Sequence, residues 1–382
     1  MEQRRERLLT RNFAALFLCT FFMFFATDFF IPVLPFYIVQ AGGTGATVGL
    51  LMGLFTFSSV VLRPYQGRRL NRSGRKKLLL LGIAVYILGG LGLTFLPSLP
   101  VFFLYRILQG FGWGAFLLAF NTLTVDLAPF GRKGEAVGLI GIAPPLSLAT
   151  APLLGETMRG GSGAFAPVFM IPVIMALIAL TLSLALREPA LEQSNEKQTA
   201  FFTPKVLIPS VMIFFITFSF GAVITFLPMF GEARELPYIG LFFTVFAVTS
   251  IIVRPLSGKL SDRLGRAFVF LPGLVVLSLS LAVISMAFSR EMILLGALLF
   301  GCGMSSTHPT ILALAADSLS PGERGVGMAN FTMAFDAGIA AGAIISGVLL
   351  NWIGFTQIFL ICAVSALLPL AFYLYKKQGN AQ

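Results

Sequence analysis

Residues 67–77 read Gly-Arg-Arg-Leu-Asn-Arg-Ser-Gly-Arg-Lys-Lys, and residues 258–266 read Gly-Lys-Leu-Ser-Asp-Arg-Leu-Gly-Arg. The two stretches begin 191 residues apart, which is half the length of the 382-residue chain. Each lies between long apolar segments and follows an Arg-Pro pair, at residues 63–64 and 254–255. A repeat of this length predicts two halves that are built on one plan.

The repeat extends beyond these two loops. Seven further pairs of identical residues share the offset of 191: Gly49 and Gly240, Phe55 and Phe246, Ser59 and Ser250, Gly82 and Gly273, Gly110 and Gly301, Gly112 and Gly303, and Asp126 and Asp317. All of them keep the same order along the chain, so the halves are related without inversion. Parallel repeats of this kind are a feature of some transporter folds, where the binding site lies between the halves.

The composition indicates an integral membrane protein. Hydrophobic residues make up 57% of the chain and charged residues 11%, and the mean hydropathy is +0.90. Soluble domains carry about 25% charged residues. Because a spanning segment must satisfy its own backbone hydrogen bonds, the apolar segments are predicted to be helices.

The apolar segments predict an all-α fold of twelve transmembrane helices in two pseudo-symmetric six-helix halves. Each predicted span reaches the roughly 20 residues that cross a bilayer. The predicted spans are 13–39, 47–66, 78–96, 101–127, 136–158, 168–186, 205–230, 238–258, 268–288, 291–316, 326–350 and 355–375. The halves are then residues 1–186 and 204–382, and the polar residues 187–203 are a cytoplasmic linker.

The distribution of basic residues predicts the orientation. The net charge is +11, and all but four of the 27 Lys and Arg residues fall on one side of the predicted membrane. The exceptions are Arg106, Arg159, Arg234 and Arg290. This asymmetry follows the positive-inside rule, so both termini are predicted to be cytoplasmic in a cell membrane. The charge therefore needs no nucleic acid partner to explain it.

The sequence offers no catalytic or metal-binding pattern. It has no HExxH, GxSxG or GxxxxGK[ST] motif, and His308 is its one histidine. Its three cysteines lie in apolar segments without a CxxC spacing. We therefore expect no enzyme activity, metal or cofactor, and an ion gradient rather than ATP as the energy source.

Four ionisable residues in predicted spans are candidates for coupling and substrate binding, because buried charge in a membrane is expensive and by default functional. Asp28 and Arg106 fall at similar predicted depth and could pair, either as a proton site or as a fixed bridge between helices. His308 and Asp336 form a second candidate pair, with packing as the alternative. Gln109 and Asn121 are candidates for the wall of a substrate cavity.

The two loops resemble the signature Gly-x-x-x-Asp-Arg-x-Gly-Arg-Lys of the major facilitator superfamily. The second copy matches it nearly completely, whereas the first has Asn71 in place of the aspartate. The stretch from Arg106 to Gly112 is similar to the Arg-x-x-Gln-Gly-x-Gly motif of the same family. The resemblance covers the whole chain and implies alternating access between the two halves.

The resemblance also implies an inner gate that latches the halves. It pairs Arg75 with Asp126, and Arg266 with Asp317. The gate residues are Gly67, Arg72, Gly74, Arg75 and Asp126 in the first half, and Gly258, Asp262, Arg263, Gly265, Arg266 and Asp317 in the second. The alternative is that these charges only anchor loops in the cytoplasm. Because Asn71 is neutral, the two copies are not expected to contribute equally.

A further resemblance points to the drug and metabolite proton antiporters of this family. They carry a Gly-Pro-x-x-Gly element in the fifth helix, and residues 151–155 here read Ala-Pro-Leu-Leu-Gly. The predicted hinge of this helix comprises Pro144, Pro145, Pro152 and Gly155. The favoured function is proton-coupled export of a small amphipathic or cationic molecule by a monomer in a lipid bilayer. A nutrient symporter, or a non-transporting receptor or lipid scramblase, is the alternative.

Overall fold

The computed structural model describes residues 8–61, 63, 74–95, 98–129, 132–162, 165–188, 202–320 and 323–379. Every regular element in these ranges is a helix. The contacts divide the chain into two compact units. Met1–Val33 and Ser58–Asn195 form the first unit, and Leu34–Phe57 and Glu196–Gln382 form the second.

The α-helices range in length from 7 to 56 residues. Those that precede residue 189 are α1 Arg11–Asp28, α2 Leu34–Gln40, α3 Gly45–Val61, α4 Arg75–Phe95, α5 Leu99–Asp126, α6 Lys133–Ile140, α7 Ala143–Ser162 and α8 Phe165–Leu184. After residue 201 come a 3₁₀ turn Pro204–Val206 and α9 Leu207–Ala233, α10 Gly240–Leu264, α11 Arg266–Ser285, α12 Arg290–Asp317 and α13 Arg324–Gly379.

Many of these helices can cross a membrane. Within the described ranges, 9 helices are long and apolar enough to do so. One of them, Arg324–Tyr373, is 50 residues long. It bends at Gly354, which has a φ of 71° and separates the spans that the sequence predicts at 326–350 and 355–375. The count of twelve spans stays a prediction.

The predicted repeat is confirmed in four helices. The first residues of α4 and α11 are Arg75 and Arg266, which are 191 positions apart. The helices α5 and α12 both contain 28 residues, and their last residues are Asp126 and Asp317, again 191 apart. The same helix boundaries therefore follow each copy of the loop.

The first predicted span is interrupted, so its prediction as a continuous helix was wrong, whereas the fifth contains a turn within Lys133–Arg159, a stretch that is long and apolar enough to cross a membrane. The first span breaks at residues 29–33, between α1 and α2, and Pro32 lies in the break. The fifth breaks at residues 141–142, just before Pro144 and Pro145. A proline has no N–H to donate, so it is accommodated best in the first turn of a helix. Pro152 lies inside α7, and the hinge role of these residues stays a prediction.

Glycines allow paired helices to approach closely in each unit. A methyl group at Gly112 of α5 would lie 2.6 Å from the backbone nitrogen of Tyr86 in α4. A methyl group at Gly303 of α12, the repeat counterpart, would lie 2.7 Å from the Cα of Leu277 in α11. Small residues at such crossings let membrane helices pack backbone to backbone. The repeat thus preserves the packing as well as the helix boundaries.

A ridge of small residues on α3 packs within the second unit. A methyl group at Gly53 would lie 2.9 Å from the carbonyl oxygen of Ala340 in α13, and one at Gly49 would lie 2.9 Å from the Cα of Gly347. Gly45, Gly49 and Gly53 recur every four residues, which is the spacing of a close helix contact. Sequence analysis missed this ridge, although the spacing is visible in the sequence.

Candidate functional site

The carboxylate of Asp28 is held by a serine of another helix. Asp28 is the last residue of α1, and its Oδ2 accepts a hydrogen bond of 2.6 Å from the hydroxyl of Ser147 in α7. Ser147 is fully buried, whereas Asp28 keeps a partly exposed surface. The carboxylate is therefore bound to a fixed donor and keeps some exposed surface.

The predicted pair of Asp28 and Arg106 does not form. Among the described residues no ion pair joins them, and the guanidinium of Arg106 donates instead to Oε1 of Gln109 at 3.1 Å. The reason is the register of the helices. Tyr86 contacts Thr27 and lies beside Gly112, so Asp28 is near the level of Gly112. Arg106 precedes Gly112 by six residues in α5, which is a rise of about 9 Å along the helix.

Several polar side chains of α1, α4, α5 and α7 lie in the region of Asp28 and Arg106. The hydroxyl groups of Tyr86 and Thr27 lie 3.3 Å apart. Arg106 is 3% exposed and Tyr86 is 1% exposed. The Nε2 atom of Gln109 is buried and, among the described residues, has no hydrogen-bond partner. These side chains form a cluster, which we call the Asp28 cluster, of Thr27, Asp28, Tyr86, Arg106, Gln109 and Ser147.

The two predicted cavity residues differ in their surroundings. Gln109 is 0% exposed, and a methyl group at Gly89 would lie 2.7 Å from its Cγ atom. It is therefore packed against α4, where its Oε1 accepts a hydrogen bond from Arg106, and its place in a substrate cavity stays a prediction. Asn121 is exposed, and its side-chain amide donates to the carbonyl of Leu117 at 2.8 Å.

An aromatic cluster lies one helical turn from Asp28. The ring of Phe24 contacts Trp113 at a centroid distance of 4.7 Å in an edge-to-face arrangement. Trp113 stacks on Phe116 at 5.5 Å, and Phe116 stacks on Phe120 at 5.2 Å. Phe24 and Trp113 keep partly exposed surfaces. Aromatic faces beside a carboxylate are suited to an organic cation.

The candidates of the second unit are placed separately. The ring of His308 in α12 lies 5.0 Å from the ring of Phe335 in α13, which directly precedes Asp336. The pairing of His308 with Asp336 stays a prediction. Packing against an aromatic ring was the alternative for His308. The coupling roles of the two residues stay predictions.

The ends of both loop motifs have the same backbone geometry. Gly74 has a φ of 90° and Gly265 a φ of 93°, a region that favours glycine. Each is followed directly by a helix, α4 or α11. The motif copies therefore make the same turn into the next helix.

The arginines that follow these glycines form ion pairs. Nε of Arg75 lies 2.8 Å from Oδ2 of Asp126, and an Nη atom of Arg266 lies 3.5 Å from Oδ2 of Asp317. Arg266 also binds Asp262, one turn earlier. Each ion pair lies within one unit. A role in latching the two halves stays a prediction.

The remaining gate candidates are exposed, make no close contact at the glycine Cβ position, or lie outside the described residues. Gly67 and Arg72 lie outside the described residues. Arg263 is exposed in the last turn of α10, and a methyl group at Gly258 would meet nothing within 4 Å. Gly155, a candidate for the hinge, packs against the residue that directly follows α1, where a methyl group would lie 2.8 Å from the carbonyl oxygen of Phe29.

We expect Asp317→Asn to increase labelling of a buried cysteine at Leu319, which is 5% exposed beside this motif end. Exposed ion pairs contribute about 0.2–1 kcal/mol, so the labelling rate should rise about two- to fivefold. Maleimide labelling of Leu319→Cys, with the native cysteines replaced, measures this. Asp317→Glu keeps the charge and is the control. An unchanged labelling rate in Asp317→Asn would remove the gate role of Asp317.

We expect Ser147→Ala to slow transport by about tenfold, because a hydrogen bond to a charged group contributes about 1.5–3 kcal/mol. The hydroxyl of Ser147 is the fixed donor to Asp28. The matched control is Thr150→Ala on the same helix, since the Thr150 hydroxyl bonds only to carbonyls of α7. Initial rates in vesicles measure the effect. Equal rates in the two variants would contradict a role for Ser147.

Sequence reasoning missed three polar residues near the site and one at the motif end. Ser147, Thr27 and Tyr86 surround Asp28, and Glu188 contacts the start of α4. Serine and threonine are common in spanning helices, where they often bond their own backbone, so their identity alone gave no signal. Glu188 lies in the segment that the sequence predicts to be a solvated linker.

Comparison with known families agrees with this architecture. The sequence model of the Major Facilitator Superfamily matches residues 16–238 and 214–381. The chain belongs to this superfamily, whose members are membrane transporters of small molecules and not enzymes. The receptor and scramblase alternatives are therefore set aside, and the chain is a multi-pass membrane protein.

Two curated relatives are exporters or resistance proteins by name. The chain is 25% identical to the staphylopine export protein of Staphylococcus aureus over 96% of each chain. It is 24% identical to multidrug resistance protein 2 of Bacillus subtilis over 64% of this chain and 66% of that protein.

Solved structures share the fold. The nucleoside transporter NupG superposes with a TM-score of 0.76 at 16% identity, over 96% of this chain and 99% of its own. A bacterial homologue of the human lysosomal transporter Spinster superposes with a TM-score of 0.77 at 15% identity, over 94% and 95%. At these identities the likeness shows the fold alone.

Proposed function

We propose that the chain is a proton-coupled exporter of a small amphipathic or cationic drug or metabolite, working by alternating access. The observation that carries the proposal is the Asp28 cluster, in which a partly exposed carboxylate is held by Ser147 on a different helix. An ionisable group in a membrane segment is costly and is retained for function. Protonation of Asp28 would change the charge of the cluster and so favour one state of the transporter over the other.

The repeat supports a coupling site in the first half. Positions 191 residues after the polar members of the Asp28 cluster hold apolar or small residues. For Thr27, Asp28, Tyr86, Arg106, Gln109 and Ser147, these counterparts are Phe218, Ser219, Leu277, Ala297, Phe300 and Gly338. Since the two halves share one plan, the polar cluster of the first half is a departure from the repeat, which supports a separate function for it. His308 and Asp336 are the additional candidates of the second half.

The aromatic cluster supports a cationic substrate. Phe24 precedes Asp28 by one helical turn, and its ring meets Trp113 at 4.7 Å. A flat organic cation could place its charge near the carboxylate and its apolar surface on these rings. Substrate and proton would then compete for Asp28, which is the simplest basis for antiport. The named activities of the two curated relatives favour export.

The remaining parts of the proposal concern energy and location. The proton gradient is the energy source, without a cofactor, and the protein acts as a monomer in the cell membrane with both termini in the cytoplasm. The excess of basic residues on one side supports this orientation. The full set of twelve spans, with residues 187–203 as the linker between halves, belongs to the same proposal.

Proton flux in proteoliposomes tests the proposal. Vesicles that enclose a pH-sensitive dye are screened with lipophilic cations, metabolites and sugars, and protein-free vesicles are the control. Proton movement opposite to that of the substrate is expected. Movement in the same direction would make the chain a symporter, the alternative that imports a nutrient. A substrate that moves without any proton flux would overturn proton coupling.

A further inference from the structure

The two copies of the loop motif differ in how their arginine is held. In the second copy Arg266 binds Asp262 and Asp317. In the first copy Asn71 takes the place of Asp262, 191 residues earlier. Asn71 lies outside the described residues, but it carries no charge. Of the two carboxylates, the first motif therefore retains only Asp126.

A carboxylate from another part of the chain reaches the first copy. An oxygen of Glu188 accepts a hydrogen bond of 2.5 Å from the backbone N–H of Arg75, the first residue of α4. Both carboxylate oxygens lie 3.0 Å from the position that a methyl group at Gly74 would take. A negative charge at a helix N-terminus pairs with free N–H groups and with the helix dipole. Glu188 thus binds beside the ion pair of Arg75 and Asp126.

The segment that carries Glu188 is fastened by two other side chains. Nζ of Lys76 donates to the carbonyl oxygens of Leu184 and Leu186, each at 2.7 Å. The side-chain amide of Asn12 donates to the carbonyl oxygen of Arg187 at 3.1 Å and accepts from its N–H at 3.3 Å. These contacts join the starts of α1 and α4 to the segment after α8. The residues that directly precede Glu188 are therefore bound to both α1 and α4.

We propose that Glu188 replaces the carboxylate that the first motif lacks, and so positions α4 and Arg75 for the ion pair with Asp126. Glu188 is a positioning residue for the transport cycle, and in this respect the inference rests on the proposed function. The repeat supports it, because the counterpart of Glu188 in the second half is Gly379. The half that keeps its aspartate has no carboxylate at the counterpart position in the sequence.

The test removes the negative charge of Glu188 and then restores a negative charge at residue 71. Glu188→Gln keeps the shape of the side chain and should lower the transport rate about fivefold, since a helix-terminal charge contributes about 1 kcal/mol. Adding Asn71→Asp should restore the rate to within about twofold of the parent. Asn71→Asp alone is the matched control and should resemble the parent. Failure of the double variant to recover, when the control transports normally, would overturn the replacement.

A second measurement is independent of transport. Leu186 is 2% exposed, so a cysteine at this position, with Cys19, Cys302 and Cys362 replaced, reports whether the segment is fastened. Glu188→Gln should raise its maleimide labelling rate severalfold. An unchanged rate would overturn the contact itself. If the parent moved no compound, thermal unfolding would replace transport in the rescue, and the same loss and recovery is expected in the midpoint temperature.

Discussion

Proton movement should fall to the level of protein-free vesicles when Asp28 is replaced by asparagine. The side chain of asparagine can still accept the hydrogen bond from Ser147, which is 2.6 Å long in the parent. It cannot take up or release a proton at physiological pH. The substitution therefore removes the proposed chemistry while it keeps the size and the hydrogen bond of the side chain.

Three comparisons make this result specific. Asp28→Glu should retain part of the proton flux, because the carboxylate is present on a longer side chain. Glu235→Gln removes a carboxylate from the exposed turn after α9 and should leave the flux unchanged. The thermal unfolding midpoint of Asp28→Asn, measured by circular dichroism, shows whether the variant is folded. Normal substrate-driven proton flux in Asp28→Asn would exclude Asp28 as the coupling group.

Replacing Gly342 with valine should lower the thermal stability of the protein, and by more than the control substitution Gly138→Val. Gly342 of α13 faces the carbonyl oxygen of Phe218 in α9, and a methyl group there would lie within contact distance of that backbone. The contact is between two backbones, so no side chain can move to relieve it. Overpacking typically costs about 1–3 kcal/mol and occasionally more, and we expect a fall of several degrees in the unfolding midpoint.

Gly138→Val is the matched control for this prediction. Gly138 lies in α6, and a methyl group there would meet nothing within 4 Å. Circular dichroism of both variants in the same detergent gives the midpoint temperatures. Equal midpoints for Gly342→Val and the parent would show that α9 and α13 do not pack as closely as described. An equal loss in both variants would assign the effect to valine in a helix.

Much of the fold could be predicted because it depends on local patterns. Apolar stretches of about 20 residues indicate spanning helices, and identical residues at one offset indicate a repeat. The helices α5 and α12 begin and end at this offset. The breaks at residues 29–33 and 141–142 were missed, because a proline allows either a kink or a new helix start.

The candidate site was predicted less completely, because it depends on contacts between helices. The location of Asp28 and Arg106 within predicted membrane spans follows from their place in apolar segments. Their partners depend on the relative shift of α1, α5 and α7, which no local pattern encodes. Arg106 lies six residues along α5 from the level of Asp28. Arg106 therefore binds Gln109, and Asp28 binds Ser147.

The sequence by itself therefore determined the family, the repeat and the residues that carry charge into the membrane. These properties reside in composition and in spacing along one chain. The tertiary structure alone decided that Ser147 binds Asp28, and that Glu188 binds the start of α4, 113 residues away. Such contacts form between segments far apart in sequence, so they exist only once the helices are packed.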